Sequence, residues 1–173
     1  VRKTSSAKMK SSLCVLILIL FQSSLFITVQ AQYMGGIVST IITGLQYPYN
    51  IIGDNAGNLY VSDQHSHCIR KQAPNVGIVT TFAGLCGTGN NANTGDNGLA
   101  TDARFAFPAE IFFDNAQMFM YINDGSNNRI RKIEMSNNIV TLVAGTTEGF
   151  SGDGSPAINA QLKKPLGGTI SNT

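Results

Sequence analysis

Ile78-Val79-Thr80-Thr81-Phe82-Ala83-Gly84 returns as Ile139-Val140-Thr141-Leu142-Val143-Ala144-Gly145, identical at five of seven positions and 61 residues later. The same offset carries Tyr60 onto Tyr121, Asp63 onto Asp124, and Ile69-Arg70-Lys71 onto Ile130-Arg131-Lys132. An offset held over so many positions means that one structural unit is used twice. Units this short bury a core only by stacking on a neighbour. The chain is an array, and its architecture follows from the unit.

Each unit is built from short alternating or β-branched runs separated by Gly, Asn, Asp and Pro, the pattern of strands joined by tight turns. A first strand is predicted at about 37–43. One set of four follows at about 49–52, 58–62, 68–72 and 78–82, and a second at 109–113, 118–123, 129–134 and 139–143. A last strand is expected after Pro165. Asp54-Asn55-Ala56-Gly57 and Asp114-Asn115-Ala116-Gln117 have the composition of turns, because Asn and Asp tolerate left-handed backbone and Gly adopts it freely. Four antiparallel strands and a longer passage to the next four describe a propeller blade. That passage repeats as well: Gly95-Asp96 through Phe105 to Pro108 matches Gly152-Asp153 through Leu162 to Pro165 at an offset of 57. The first copy is therefore longer by four residues (61 − 57), which fall in the Gly/Asn-rich Leu85–Thr94 stretch, read as a surface excursion.

Asn58-Leu59-Tyr60-Val61-Ser62-Asp63, His67-Cys68-Ile69-Arg70-Lys71 and Gly77–Gly84 together resemble an NHL repeat. Met120–Asp124, Asn128–Lys132 and Ile139–Gly145 match it again, and Gly149-Phe150-Ser151-Gly152-Asp153-Gly154 resembles the loop that follows the repeat in extracellular and microbial members. The resemblance runs from Gly35 to the C-terminus. It implies an all-β propeller of antiparallel four-stranded blades, usually about six in this family, used mostly as a recognition platform. Two complete blades are read here, at about 45–84 and 105–145, with the start of a third from about 165. Two blades cannot close a ring, so the expectation is an N-terminal portion of a longer protein, or else flanks covered by self-association.

The N-terminus has a different character. Arg2, Lys3, Lys8 and Lys10 precede the apolar run Leu13–Phe21, and small residues follow at Val29-Gln30-Ala31. A basic flank, a short apolar stretch and a small-residue cut site mark a secretory signal peptide, expected as a helix, over 1–31 with translation starting at Met9. The rival is a retained membrane anchor, weakened by Gln22, Ser23, Ser24, Thr28 and Gln30 within the span. The mature part, 32–173, then holds eight Lys and Arg (12 − 4) against ten Asp and Glu, a net charge of −2. Such a balance offers no basic field for nucleic acid. Cys14 leaves with the leader. Cys68 and Cys86 remain, and the second blade has Arg129 and Thr147 in their places. Both substitutions fall in one repeat, which fits a disulfide in an oxidising compartment, with two separate buried thiols as the alternative.

Strand direction gathers one set of turns on a single face: Asp63, His65, His67 and the Asp96 loop from one blade, then Asp124, Asn128 and the Asp153 loop from the next. This face is the candidate binding surface, since rigid β scaffolds carry binding residues on loops. Against that, Asp63 and Asp124 recur identically, which suits carboxylates accepting N–H bonds within their own turns better than a ligand site. Arg70-Lys71 and Arg131-Lys132 are expected at a solvated blade edge, one of each pair facing outward.

Chemistry finds little support. His65 and His67 are the only histidines, and no Cys or acid completes a zinc set with them. Asp96, Asp102, Glu148 and Asp153 lack the density of a calcium loop. There is no Gly-x-Ser-x-Gly elbow. No cofactor or metal is expected. The reading is a secreted NHL-type propeller that binds a protein or glycan ligand. Its competitor is the N-terminal part of an extracellular lyase- or hydrolase-type enzyme, because some relatives in the family are lyases.

Overall fold

The computed structural model describes residues 38–74, 77–87 and 93–170 together with strands at 18–19 and 27–32, and side-chain surroundings from Ile42 onward. Half of the Leu85–Thr94 excursion (88–92) and most of the leader lie outside the described residues. The described parts of the leader are extended. β1 (Leu18–Ile19) pairs with β2 (Ile27–Gln32), and β2 pairs antiparallel with β3 (Val38–Leu45). The leader helix expected from the apolar run is therefore not found at these positions. Ile27-Thr28-Val29 is β-branched, a composition that favours a strand, and β3 offers it a ladder.

The two blades follow the predicted order. The first contains β4 (Pro48–Gly53), β5 (Leu59–Asp63), β6 (Cys68–Gln72) and β7 (Val79–Ala83). The second contains β8 (Pro108–Phe113), β9 (Phe119–Asp124), β10 (Arg129–Glu134) and β11 (Ile139–Ala144). Each is a four-stranded antiparallel sheet in simple up-and-down order. The register is equivalent down to the irregularities. A bulge falls between Ile69 and Arg70 in one blade and between Ile130 and Arg131 in the other. After Ala144 the described chain forms isolated bridges and a 3-10 turn at Ala157–Asn159. Pro165–Ile170, where a further strand was expected, is irregular and runs beside β8: Glu110 N–H donates to Leu166 O, and Gly168 N–H donates to the Glu110 carboxylate. A strand requires a run of backbone ladder bonds, and among the described residues a single one, from Glu110 N–H to Leu166 O, joins this stretch to β8.

The core lies between the blades. Tyr60, Ile69 and Ala83 of the first blade pack with Ile111, Met120, Ile122, Ile133 and Val140 of the second. Ala100, Ala103 and Phe105, from the passage between the blades, complete this core. Full burial of a ring such as Phe105 contributes roughly 1.5–3 kcal/mol. A smaller cluster of Ile42, Leu45 and Val61 seats β3 against the first blade. The result is a rigid stack whose turns emerge at two opposite ends.

Candidate functional site

At one end, each second strand passes into a single 3-10 turn, Gln64–Ser66 or Gly125–Asn127. Each turn closes on a left-handed residue, His67 (φ 57°) or Asn128 (φ 56°). His67 and Asn128 then perform the same task. His67 Nδ1 accepts the Phe107 N–H at 3.2 Å, and Asn128 Oδ1 accepts the Lys164 N–H at 2.9 Å. Phe107 and Lys164 each precede the proline of an inner segment and are themselves left-handed, with φ 50° and 44°. Both predicted site residues are thus clasps for the entering backbone. Because Nδ1 must accept, His67 is neutral in this arrangement. Its pKa is lowered first by burial and then by the charge of His65.

The aspartates are structural too, but not in the manner expected. Asp63 Oδ1 accepts from Gln46 N–H and Tyr47 N–H, at 2.8 and 2.9 Å. Asp124 Oδ1 accepts from Ala106 N–H at 2.7 Å, while Oδ2 accepts from Asn127 Nδ2 at 2.8 Å. In both blades the carboxylate holds the chain segment that enters its blade, not its own turn. Burial pushes the Asp124 carboxyl up to about 6, against the lowering effect of Ala106, Asn127 and Arg131.

Arg131 departs most from expectation. It is wholly buried, not at a solvated edge. Its guanidinium donates to Asp96 Oδ1, Thr94 O and Arg104 O at 2.9–3.0 Å, pairs with Asp124 at 3.5 Å, and lies 5.0 Å over the Phe105 ring. Arg129 adds a second contact to Asp96 at 3.5 Å. Asp96 is therefore occupied by arginines and is not offered to a ligand. Asp153, its counterpart, is exposed. Glu148 pairs with Lys163 at 3.3 Å. Among the described residues no three His, Cys, Asp or Glu side chains group to hold a metal ion, and no helix is long and apolar enough to cross a membrane.

Beside the exposed Asp153, this face presents a group of rings. His65 is exposed and stacks on Tyr47 with centroids 4.6 Å apart, and it meets Phe107 edge-on at 5.6 Å. His67 lies beneath, edge-on to Phe107 at 4.6 Å. Of the rings, only the histidines were singled out from sequence. Tyr47 and Phe107 were not, although Tyr47-Pro48 and Phe107-Pro108 occupy equivalent places 60 residues apart. The seven predicted site residues share one end of the molecule without converging. Asp63 serves β4, Asp96 and Asp124 join Arg131, Asn128 holds Lys164, and His65 and His67 enter the ring cluster.

Beside this face, Cys68 and Cys86 form a disulfide with Cα atoms 5.1 Å apart. It fastens the passage leaving the first blade to the start of β6.

Stacked four-stranded blades, tied through repeated turn aspartates and left-handed clasps, define a repeat-built β-propeller architecture. The chain belongs to the teneurin NHL domain family, which matches residues 36–151. Two solved structures from Bacteroides thetaiotaomicron are similar in fold. A protein of unknown function is 23% identical with a TM-score of 0.64, over 82% of this chain and 38% of its own. An auxiliary nutrient binding protein is 19% identical with a TM-score of 0.61, over 80% and 36%. An auxiliary nutrient binding protein from Bacteroides ovatus is 16% identical with a TM-score of 0.54, over 80% and 35%. The chain thus spans little more than a third of the length of each. No curated protein matches it.

Proposed function

We propose that this chain is a secreted binding module that recognises a protein or glycan ligand on its loop face and performs no chemistry itself. The observation that carries the reading is the ring cluster of Tyr47, His65 and Phe107. It stays accessible on a face where Asp63, Asp96 and Asp124 are all engaged internally. Rings held by neighbouring rings present contact area at low entropic cost and stack on planar groups or on the apolar face of a sugar. The names of two fold neighbours, both auxiliary nutrient binding proteins, support a binding role. Export is supported by the basic-then-apolar N-terminus and by a disulfide, which persists in oxidising compartments.

The test uses the full-length secreted chain on a glycan array and in pull-downs from extracellular protein. His65→Ala combined with Phe107→Asn removes two rings while placing Asn, which tolerates left-handed backbone, at 107. Binding should fall at least tenfold with the fold intact by circular dichroism, and undiminished binding would move the site off this face. N-terminal sequencing of secreted material should begin at Gln32. Full retention in the membrane fraction would replace secretion by anchoring.

A further inference from the structure

At the opposite end of the blades, the turns joining first to second strands border an open cleft of about 590 Å3 between the two sheets. Its walls include Phe82 and Tyr60 from one blade and Phe113 and Met135 from the other, and its polar groups include Asp54, Lys71, Gln117 and Asn138. The volume falls within the range of small-molecule sites. One hydrogen bond clasps its rim across the blades, from Asn55 N–H to Gln117 Oε1 at 2.8 Å.

The two charges of the cleft are not equivalent. Asp54 is fully engaged. Oδ1 accepts from Ala56 N–H and Asn58 N–H at 3.0 and 2.8 Å, and Oδ2 accepts from Asn58 Nδ2 and Tyr60 Oη at 2.6 and 3.1 Å. Four donors fill the acceptor sites of a carboxylate, so Asp54 builds the turn and has no site left for a ligand cation. Lys71 is in the opposite position. Its Nζ lies 5.3 Å over the Tyr60 ring and 6.0 Å over the Phe82 ring, and none of the ion pairs among the described residues includes it. An ammonium has three protons to donate, and a ring face satisfies it only partly.

We propose that this cleft binds a small organic monocarboxylate, with its carboxylate on Lys71 and its apolar or aromatic body between Phe82, Phe113 and Met135. The engaged Asp54 keeps the site close to neutral overall, which selects one negative charge over two. The site is separate from the ring cluster and does not depend on it.

The test is isothermal titration of the full chain with 3-phenylpropionate, 3-phenylpropanamide, phenethylamine and inorganic phosphate. The carboxylate should bind saturably and at least tenfold more tightly than the amide, with the amine and phosphate weaker still. Lys71→Gln should remove that preference and Lys71→Arg should keep it. Because Lys71→Gln also loses a ring contact, Asn138→Asp supplies an independent variant, placing a negative charge on an exposed turn at the rim. It should weaken the carboxylate several-fold and leave the amide unchanged. No saturable binding of the carboxylate overturns the proposal, as does parity between carboxylate and amide or an unaltered affinity in Lys71→Gln. Tighter binding of phosphate would overturn the assignment to monocarboxylates.

Discussion

The two passages, 84–107 and 145–164, come from the same sequence pattern and lead different lives. The first is held on both sides. Toward the first blade it is tied by the Cys68–Cys86 bridge and by the Gly87 N–H to Ser66 O bond. Toward the second it adds an edge to β11, through Asn97 N–H to Val140 O, Val140 N–H to Gly98 O and Ala100 N–H to Asn138 O. Asp96 is joined to Arg131 and Arg129 beside that edge. Among the described residues the second passage is held on one side only. Gly145 N–H and Thr146 N–H donate to Ala157 O and Ala160 O, and Lys164 N–H to Asn128. Its surface shows Phe150 (84% exposed) and Ile158, and its Ala157, Ala160 and Leu162 are exposed or half-buried where the first passage buries Ala100, Ala103 and Phe105. The same local pattern therefore builds the shape of a passage, while the blade docked against the first passage buries its apolar side chains and joins its carboxylate to arginine. Local sequence makes the hook, and the neighbour makes the latch.

The sharpest way to break this comparison is to remove the latch and, separately, its unused counterpart. Arg131→Ala leaves Asp124 without its cation and Asp96 with only the longer Arg129 contact, and it empties a fully buried site, with Asp124 itself fully buried. Breaking a buried pair from one side costs about 3–5 kcal/mol. Asp153→Asn alters an exposed carboxylate and should stay within about 0.5 kcal/mol. Urea unfolding of the two variants measures both. A loss from Arg131→Ala no larger than that from Asp153→Asn would mean that the docked passage owes nothing to its ion network.

The next effect concerns the other side of the same passage. Cys68→Ala with Cys86→Ala opens a link spanning 18 positions, for which the chain-entropy model gives about 3 kcal/mol. Without the bridge the passage is still latched to the second blade, so it should loosen chiefly near residues 85–94. Limited proteolysis should then cut there first, and protection of that stretch in the double variant would show that the bridge adds no local order. The second blade does without a bridge at these positions, having Arg129 and Thr147 in place of the cysteines.

The repeat made most of the fold legible, because a strand, its turn and its register are local consequences of alternation and of Asn, Asp and Gly placement. It also made the recurring Asp63 and Asp124 legible as structural groups, since a ligand site has no need of strict repetition. Their partners were not legible. Gln46, Tyr47 and Ala106 lie 16–18 positions away and meet the carboxylates only once the blade is folded. The burial of Arg131 is illegible for the same reason. Strand alternation sets which face it occupies, but the depth of that face depends on Thr94, Asp96 and Arg104, some 27–37 positions distant. Tyr47 and Phe107 carried a readable signal, a ring before proline in two successive blades. The cleft around Lys71 carried none, because neither blade alone contains it.

The smallest and most discriminating prediction exploits a substitution that the molecule has already made. Where the first blade clasps the entering backbone with His67, the second uses Asn128, which is equally left-handed and accepts the equivalent N–H. His67→Asn should therefore keep the clasp and lose only the ring contact with Phe107, about 1 kcal/mol at pH 7.5. It also removes a titration. Burial, aided by the charge of His65, lowers the His67 pKa below its ordinary 6.5. As pH falls the unfolded chain takes up the proton before the folded one, so this residue's contribution is full above about 6.5 and is lost as pH falls toward the depressed value. Protonation at Nδ1 would in turn cost the acceptor for Phe107 N–H. The difference in unfolding free energy between the parent and His67→Asn should be constant above pH 7 and should shrink steadily below 6.5. Parallel curves from pH 7.5 to 4.5 would show that His67 does not hold the blade through its neutral ring.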